Sequence, residues 1–237
     1  MNGEHSVNAA RRVKLAAMID HTFLKPSGAP DAVRRLCREA KKHRFACAMV
    51  NPCEVALAAS LLKGSGVRVG TVVGFPLGAN RPDVKDFEAA AAVRDGALDV
   101  DFVVNVALLK RAAADAGARR RLAAELKGHV RACREAGFGV VAKLILECCL
   151  LTDAEKRLGC RLAKEAGFDF VKTSTGFGAG GATVHDVRLM RRAVGPDMGV
   201  KAAGGIRTLS DAMAMVEAGA DRLGCSAGVD ILGELGG

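Results

Sequence analysis

Two lysines stand where lysines are rarely tolerated. Lys172 lies in Asp-Phe-Val-Lys-Thr-Ser-Thr-Gly (169–176) and Lys201 in Gly-Val-Lys-Ala-Ala-Gly-Gly-Ile-Arg (199–207). Each run is short, apolar and closed by glycine, the pattern of a buried parallel strand. Burial disfavours an ammonium, and a second lysine on the next strand repels it, so both effects push these amines down from about 10.4. A shift of roughly three pKa units takes about 4 kcal/mol and leaves usable neutral amine near pH 7. A neutral lysine amine attacks a carbonyl to form a Schiff base. The competing reading is a buried ion-pair network without chemistry; it accounts poorly for two lysines on adjacent strands.

Further polar residues fall inside other apolar runs. Asp101 lies in Val-Asp-Phe-Val-Val-Asn (100–105), and Lys143 and Glu147, four apart, share one face of a fifth run if that run is a strand. For Lys143 and Glu147 the catalytic and the purely structural readings both stay open. Lone charges are costly in a packed interior, whereas charges converging from neighbouring strands offset one another around a site. Asp20 and Thr22, in Ile-Asp-His-Thr (19–22), fall at the end of a first strand and could reach a substrate or stabilise a turn.

The elements that must position these residues recur as one unit: an apolar run, a glycine or polar turn, then an amphipathic stretch. Eight runs read as strands: 17–21, 46–51, 68–75, 100–105, 139–147, 170–175, 199–203 and 222–226. Thr152-Asp-Ala-Glu155 is a capping box opening the helix after the fifth. Leu209, Met213 and Val216 form an apolar stripe after the seventh. Glycines 137, 167 and 219 each close a helical pattern. Alternating strand and helix implies a parallel α/β sheet, and eight units in 237 residues fit a closed (β/α)8 TIM barrel spanning residues 1–237 as a single domain, with a short N-terminal helical extension. An open doubly wound sheet is the alternative. The barrel places the site at the C-terminal ends of its strands.

The loop Gly176-Phe-Gly-Ala-Gly-Gly181 formally matches G-x-G-x-x-G, but it follows a sixth strand and no acidic residue ends the next one, so dinucleotide binding is not supported. A cradle of backbone N–H groups for an anion fits better, joined by Gly204-Gly205 and by Gly224-Cys225-Ser226. Glycines required only for tight turns are the competing reading. Histidines 5, 21, 43, 129 and 185 show no metal-ligand spacing, and His185 reads as a surface residue. No serine triad or reactive cysteine arrangement stands out. The chemistry reads as lysine-based, with no metal and no cofactor.

Composition bounds the partners. The net charge is +9, with Arg34, Arg35, Arg38, Lys41, Lys42 and Arg44 in one cluster and Arg119, Arg120 and Arg121 in another. Such clusters attract anions or simply solvate helix faces, and the absence of interleaved aromatics argues against single-strand nucleic-acid binding. No run is long enough to span a membrane, and the first residues, Met-Asn-Gly-Glu-His-Ser, lack the features of a signal peptide. The eight cysteines (37, 47, 53, 133, 148, 149, 160, 225) include no Cys-x-x-Cys pair and read as reduced residues of a cytoplasmic protein.

Seven segments, in order from residue 19 to the last strand, resemble deoxyribose-phosphate aldolases: Ile-Asp-His-Thr-Phe-Leu-Lys-Pro (19–26), Val-Asn-Pro (50–52), Val-Gly-Phe-Pro-Leu-Gly (73–78), Asp-Phe-Val-Val-Asn-Val (101–106), Lys-Leu-Ile-Leu-Glu (143–147), Val-Lys-Thr-Ser-Thr-Gly-Phe (171–177) and Lys-Ala-Ala-Gly-Gly-Ile-Arg (201–207). The resemblance implies a class I aldolase cleaving 2-deoxy-D-ribose 5-phosphate to acetaldehyde and D-glyceraldehyde 3-phosphate. It implies Lys172 as the Schiff-base nucleophile, Lys201 as the neighbouring cation that lowers its pKa, and Asp101 as a proton relay with Lys201 through water. It further implies Gly176, Gly204, Gly205 and Ser226 at the substrate phosphate and Asp20 and Thr22 near its hydroxyls, with Lys143 a further residue of the substrate site. The expected partner is a small phosphosugar, without nucleic acid or membrane, and a homo-oligomer, a dimer by analogy, is the expected assembly. Three positions depart from the family pattern: Met49 where a cysteine is frequent, and Cys148 and Cys225 where threonines are. The chain also has no tyrosine to match the C-terminal one that assists proton transfer in some members.

The sequence also admits two other readings. A Schiff-base aldolase for a different phosphosugar would refuse acetaldehyde as donor. A basic nucleic-acid-binding barrel would bind with steep salt dependence and leave the strand lysines unexplained.

Overall fold

The computed structural model describes residues 10–28 and 30–235. The segment on which the reading of a missing signal peptide rests lies outside the described residues. Residues 10–16 form a helix, α1, ahead of the first strand. Strands and helices then alternate: β1 (Ile19–Phe23), α2 (Pro30–His43), β2 (Cys47–Val50), α3 (Val55–Leu62), β3 (Arg68–Val73), α4 (Pro82–Arg94), β4 (Asp99–Val103), α5 (Val106–Ala114) with α6 (Ala116–Ala136), β5 (Val141–Ile145), α7 (Asp153–Ala166), β6 (Phe170–Lys172), α8 (Val184–Val194), β7 (Gly199–Ala203), α9 (Leu209–Glu217), β8 (Arg222–Cys225) and α10 (Gly228–Gly233). The eight strands are parallel and close in order, β8 pairing with β1, into a (β/α)8 barrel.

Local sequence explains the helices. In α2, Val33, Leu36, Cys37 and Ala40 are buried at helical spacing while Arg34, Arg35, Arg38, Lys41 and Lys42 face water, so the basic cluster is a solvated face. Capping boxes Thr152–Glu155 and Thr208–Asp211 open α7 and α9. Gly167, in the left-handed region at φ 89°, ends α7, whereas Gly137 after α6 is extended, at φ −169°, so its glycine is not required by a left-handed turn. The stripe on α9 also differs from expectation. Ala212 and Met215 are its buried residues, Leu209 and Val216 pack half-buried against the same core, and only Met213 of the expected stripe is exposed.

The strands run within or close to the expected spans, mostly shorter, with β1 two residues later. Their alternation divides the molecule into two chemically different interiors. Outward residues such as Val100, Phe102, Leu144, Val171, Val200 and Leu223 pack with the helices into one aliphatic layer. Inside the barrel, the apolar residues of β2, β3 and the end of β1 form a small separate cluster of Leu24, Cys47, Met49 and Val72. Most of the rest of the interior is charged, apart from Val103 and Ile145 toward the C-terminal end of β4 and β5. Register sets it up: Asp101 pairs with Lys143, Lys172 with Lys201, and Lys201 with Arg222. Phe170 lies among the charges, its ring 5.8 Å from the Lys143 ammonium and 6.0 Å from the Arg222 guanidinium. Glycine makes room for the long side chains. A Cβ on Gly224 would lie 3.0 Å from Lys201 Cε, and one on Gly199 would lie 2.2 Å from the Phe170 ring.

Candidate active site

Lys172 ends β6 and is the one interior lysine that reaches a cavity at the C-terminal end of the barrel. The cavity, about 400 Å³, is walled by the ends of β1, β6, β7 and β8 and the loops that follow them. Behind Lys172 stands a chain of ion pairs. Its Nζ donates to Asp101 Oδ2 at 2.9 Å, and Lys201 Nζ donates to the same oxygen at 2.9 Å. Asp101 Oδ1 is 3.2 Å from Lys143 Nζ. Lys201 also pairs with Asp20 Oδ2 at 2.6 Å, and Asp20 Oδ1 accepts from Arg222 at 2.5 Å. Lys143 also pairs with Asp99, which Arg68 meets from the N-terminal end.

This arrangement separates the lysines. Burial pulls Lys172 down, and the pull of Asp101 the other way is opposed by the Lys201 and Lys143 ammoniums, leaving its pKa at about 8. Burial also opposes the charge on Lys201, but Asp101 and Asp20 more than reverse it, and its pKa is raised. Lys143 is raised too, against burial, by Asp101, Asp99 and Asp20. The expectation that mutual repulsion lowers both Lys172 and Lys201 is therefore corrected. Lys201 has a second carboxylate and stays an ammonium, while Lys172 only shares one. Asp101, despite burial, is held well below the usual carboxylate range by Lys143, Lys172 and Lys201. One lowered amine, one fixed ammonium and one ionised carboxylate in contact can attack a carbonyl and move protons beside it.

The profile of the DeoC/LacD family aldolases matches residues 14–233. The chain belongs to that family. A deoxyribose-phosphate aldolase from Thermoanaerobacter sp. strain X514 is 53% identical over 222 residues, covering 94% of this chain and 97% of the relative. The enzyme of that name from Bacteroides thetaiotaomicron is 52% identical over 219 residues, covering 92% and 89% respectively. Among solved structures, a deoxyribose phosphate aldolase from Aeropyrum pernix, described as uniquely tetrameric, superposes with a TM-score of 0.84 at 35% identity, over 95% of this chain and 94% of the other. An aldolase designated QR15 gives 0.85 at 38% identity, over 93% and 95%.

In this DeoC/LacD aldolase, Thr22, Gly176, Gly204, Gly205 and Ser226 line the same cavity as Lys172. Gly204, at φ +87°, is pinned by a close approach: a Cβ on Gly181 of the β6 loop would lie 2.3 Å from the Gly204 carbonyl oxygen. The loops after β6 and β7 thus meet backbone to backbone. Two sequence-derived substrate contacts lie elsewhere. Asp20 is fully buried beneath Lys201, because it is the second residue of β1 and points into the barrel rather than sitting at its rim. Lys143 is likewise fully enclosed by Asp99 and Asp101 and does not line the cavity. The expected water between Asp101 and Lys201 gives way to direct contact.

Glu147 is not on the strand with Lys143. It follows β5 in the left-handed region at φ 57°, where strand parity no longer applies. Its carboxylate accepts from Thr175 Oγ1 at 2.5 Å and Thr175 N at 3.3 Å, bracing the loop that carries Gly176.

Sequence reasoning missed Asp99, Arg222, Lys25 and Arg207. Asp99 is two residues before Asp101, so strand parity already placed it on the inner face. Arg222 opens its strand and resembled a solvent-facing strand start. Lys25 and Arg207 are exposed loop cations at the cavity mouth; both fall within the family-like segments 19–26 and 201–207, but no role was read for them there. The one group of metal-type donors brought together among the described residues, Asp153, His185 and Asp186, lies on α7 and α8, away from the barrel interior. The Lys156 ammonium already sits 2.5 Å from Asp186 and 3.5 Å from Asp153.

Proposed function

We propose that this chain is a class I deoxyribose-phosphate aldolase, reversibly cleaving 2-deoxy-D-ribose 5-phosphate to D-glyceraldehyde 3-phosphate and acetaldehyde, in the cytoplasm, as a step of deoxyribose phosphate catabolism. The observation that carries this reading is Lys172: at the cavity wall, with an amine at about 8, and in contact with Asp101. Relatives bearing that activity in their names match over almost the whole chain, and residues 1–237 act in this reading as one domain.

The chemistry follows from the contacts. The neutral Lys172 amine adds to C1 of the open-chain sugar, and loss of water from the carbinolamine gives an iminium. The C3 hydroxyl loses its proton, the C2–C3 bond breaks, and its electron pair moves into the enamine spanning C2, C1 and the lysine nitrogen. Glyceraldehyde 3-phosphate leaves. The enamine takes a proton at C2, and water hydrolyses the resulting iminium to acetaldehyde and free Lys172. Asp101 and Lys201, sharing a proton-bearing contact of 2.9 Å beside the nitrogen, are the groups we assign to these proton transfers. The backbone N–H groups of Gly176, Gly204 and Gly205 and the Ser226 segment are assigned to the phosphate, with Lys25 and Arg207 supplying positive charge at the mouth, and Thr22 to a substrate hydroxyl.

The assembly belongs to the proposal as well: a homo-oligomer, read out by light scattering. All eight cysteines are free, and among the described residues no helix is long and apolar enough to cross a membrane. The deciding experiment is borohydride trapping. With acetaldehyde, the added ethyl group is expected on the peptide bearing Lys172, and lost in Lys172→Ala. Diffuse labelling of surface lysines, unchanged by that substitution, would remove the chemical basis of this reading.

A further inference from the structure

The ion pairs behind Lys172 continue past the residues assigned to the reaction, down the barrel axis to its opposite end. Lys172 and Lys201 compete for Asp101 Oδ2, each at 2.9 Å. Lys201 is in turn divided between Asp101 and Asp20, the latter at 2.6 Å. Asp20 is divided between Lys201 and Arg222, at 2.5 Å. Arg222 is the last member. Its side chain is 17% exposed, while Asp20 and Lys201 are buried at 0% and 1%. Phe170 covers one side of its guanidinium at 6.0 Å.

In such a chain each charge decides how much of its neighbour is left for the next. Take the Arg222 charge away, and Lys201 is the one cation left in contact with Asp20 in a site of low dielectric, with Lys143 acting on it only from beyond contact distance. The Lys201 ammonium is then drawn toward Asp20 and off Asp101. Asp101 Oδ2 is left to Lys172.

We propose that Arg222 is a positioning residue of the active site: by pairing with Asp20 from the N-terminal end of the barrel it keeps the Lys201 ammonium on Asp101 and so denies Lys172 a carboxylate of its own. The inference rests on Lys172 being the Schiff-base lysine. It adds a residue at the far end of the barrel, joined to Asp101 through three successive ion pairs, that sets how reactive that lysine is. The charged groups facing this chain are Asp101 and Asp99 from β4 and Lys143 from β5, with the Cys47 thiol of β2 beside Asp20 and Asp99. Burial, with Asp99 and Asp20 adding to it, pushes that thiol up, so it stays uncharged. Lys143 and Arg68 are both held by Asp99, so neither takes the place of Arg222 at Asp20.

The test is the acid limb of the pH profile of kcat/KM for 2-deoxyribose 5-phosphate cleavage, which reports the free enzyme's essential amine. Removing a cation from the chain strengthens the hold on the Lys172 proton, so Arg222→Met is expected to move that midpoint up by about one pH unit. At pH 7 this lowers kcat/KM by about tenfold. Arg222→Lys, which keeps the charge, is expected to return the midpoint close to the wild-type value. Should Arg222→Met not fold, Arg222→Gln removes the charge while keeping a donor to Asp20 and is read in the same way. A loss of activity or thermal stability with the midpoint unmoved in the neutral variants would overturn the proposal and leave Arg222 a structural partner of Asp20. Absence of acetaldehyde trapping on Lys172 in the unaltered protein is a separate result, which would sink the aldolase reading itself.

Discussion

Lys172 and Lys201 each lie 2.9 Å from one and the same oxygen, Asp101 Oδ2. Two cations on one carboxylate oxygen cannot both be fully satisfied by it. The difference between them comes from Asp20, which holds Lys201 at 2.6 Å. In the proposed mechanism, nucleophile and permanent cation are thus told apart by a carboxylate that touches only one of the two. The same contacts make Asp101 the point where, in that mechanism, amine reactivity and proton transfer would meet.

The pH profile should expose this division. An amine at about 8 is about one-tenth neutral at pH 7, against roughly one part in 2,500 at an ordinary value of 10.4. The expected kcat/KM climbs about tenfold per pH unit below pH 8 and levels off above it. A flat profile between pH 6 and 8 would show that Lys172 is not the limiting base.

A lowered lysine is also a stability statement. The folded pKa of about 8 lies below the unfolded one, so between those values the unfolded chain binds more protons and stability rises with pH. Below pH 8 the protonated Lys172 costs the fold about 3 kcal/mol. Lys172→Met should therefore be inactive yet more stable at pH 7, by about 1–3 kcal/mol, with the gain fading above pH 10. Urea denaturation at both pH values measures it, and a less stable variant at pH 7 would contradict the charge assignment.

Asp101→Asn should do the opposite. It leaves Lys143, Lys172 and Lys201 without their shared carboxylate, and breaking a buried pair costs about 3–5 kcal/mol. Activity should fall by about 10²–10⁴ as the proton relay is lost. The sign in acid follows from the lowered pKa values of Asp101 and Asp20. Their stabilisation is present above the ordinary carboxylate range and lost as pH falls below it. The unaltered protein should therefore unfold in acid where Asp101→Asn has less left to lose, and equal acid sensitivity in the two would argue against a strongly ionised Asp101.

The barrel was legible because its cues are periodic. Eight apolar runs separated by amphipathic stretches leave few other architectures, and Lys172 and Lys201 stood out by residue type alone. Direction inside the barrel was harder to read. Asp20 sounded like a rim residue because His21 was taken as the end of β1, and a two-residue shift in that strand moves Asp20 from the rim to beneath Lys201. The fate of Lys201 was illegible for the same reason: its raised pKa depends on Asp20, 181 positions away in sequence. Arg222 meets Asp20 only because closure sets β8 beside β1, while Asp99 meets Arg68 and Lys143 from the neighbouring strands β3 and β5.

The departure at Met49 predicts chemical tolerance. Met49 lies in the barrel interior beside Cys47, their sulfurs 3.7 Å apart. A thioether cannot add to an unsaturated aldehyde as a thiolate does. Crotonaldehyde should inactivate the unaltered protein roughly tenfold more slowly than Met49→Cys. Equal rates of inactivation would place the vulnerable group elsewhere.

The last prediction concerns Glu147, whose backbone sits at φ 57°, a conformation that costs a non-glycine residue about 1–3 kcal/mol. What holds it there is its buried carboxylate, which accepts from the hydroxyl and the backbone N–H of Thr175. Thr175 Oγ1 in turn accepts from Phe177 N at 3.0 Å. The loop between them carries Gly176, at the cavity wall. Glu147→Gln keeps the size and one acceptor but removes the charge that strengthens these bonds. The loop that we assign to the phosphate should loosen while Lys172, Asp101 and Lys201 stay in place. The expected outcome is a rise in KM of about tenfold for 2-deoxyribose 5-phosphate with kcat within about twofold. The unphosphorylated sugar supplies the control, since its cleavage does not use a phosphate loop and should be unchanged. A fall in kcat for both sugars would instead make Glu147 part of the chemical step.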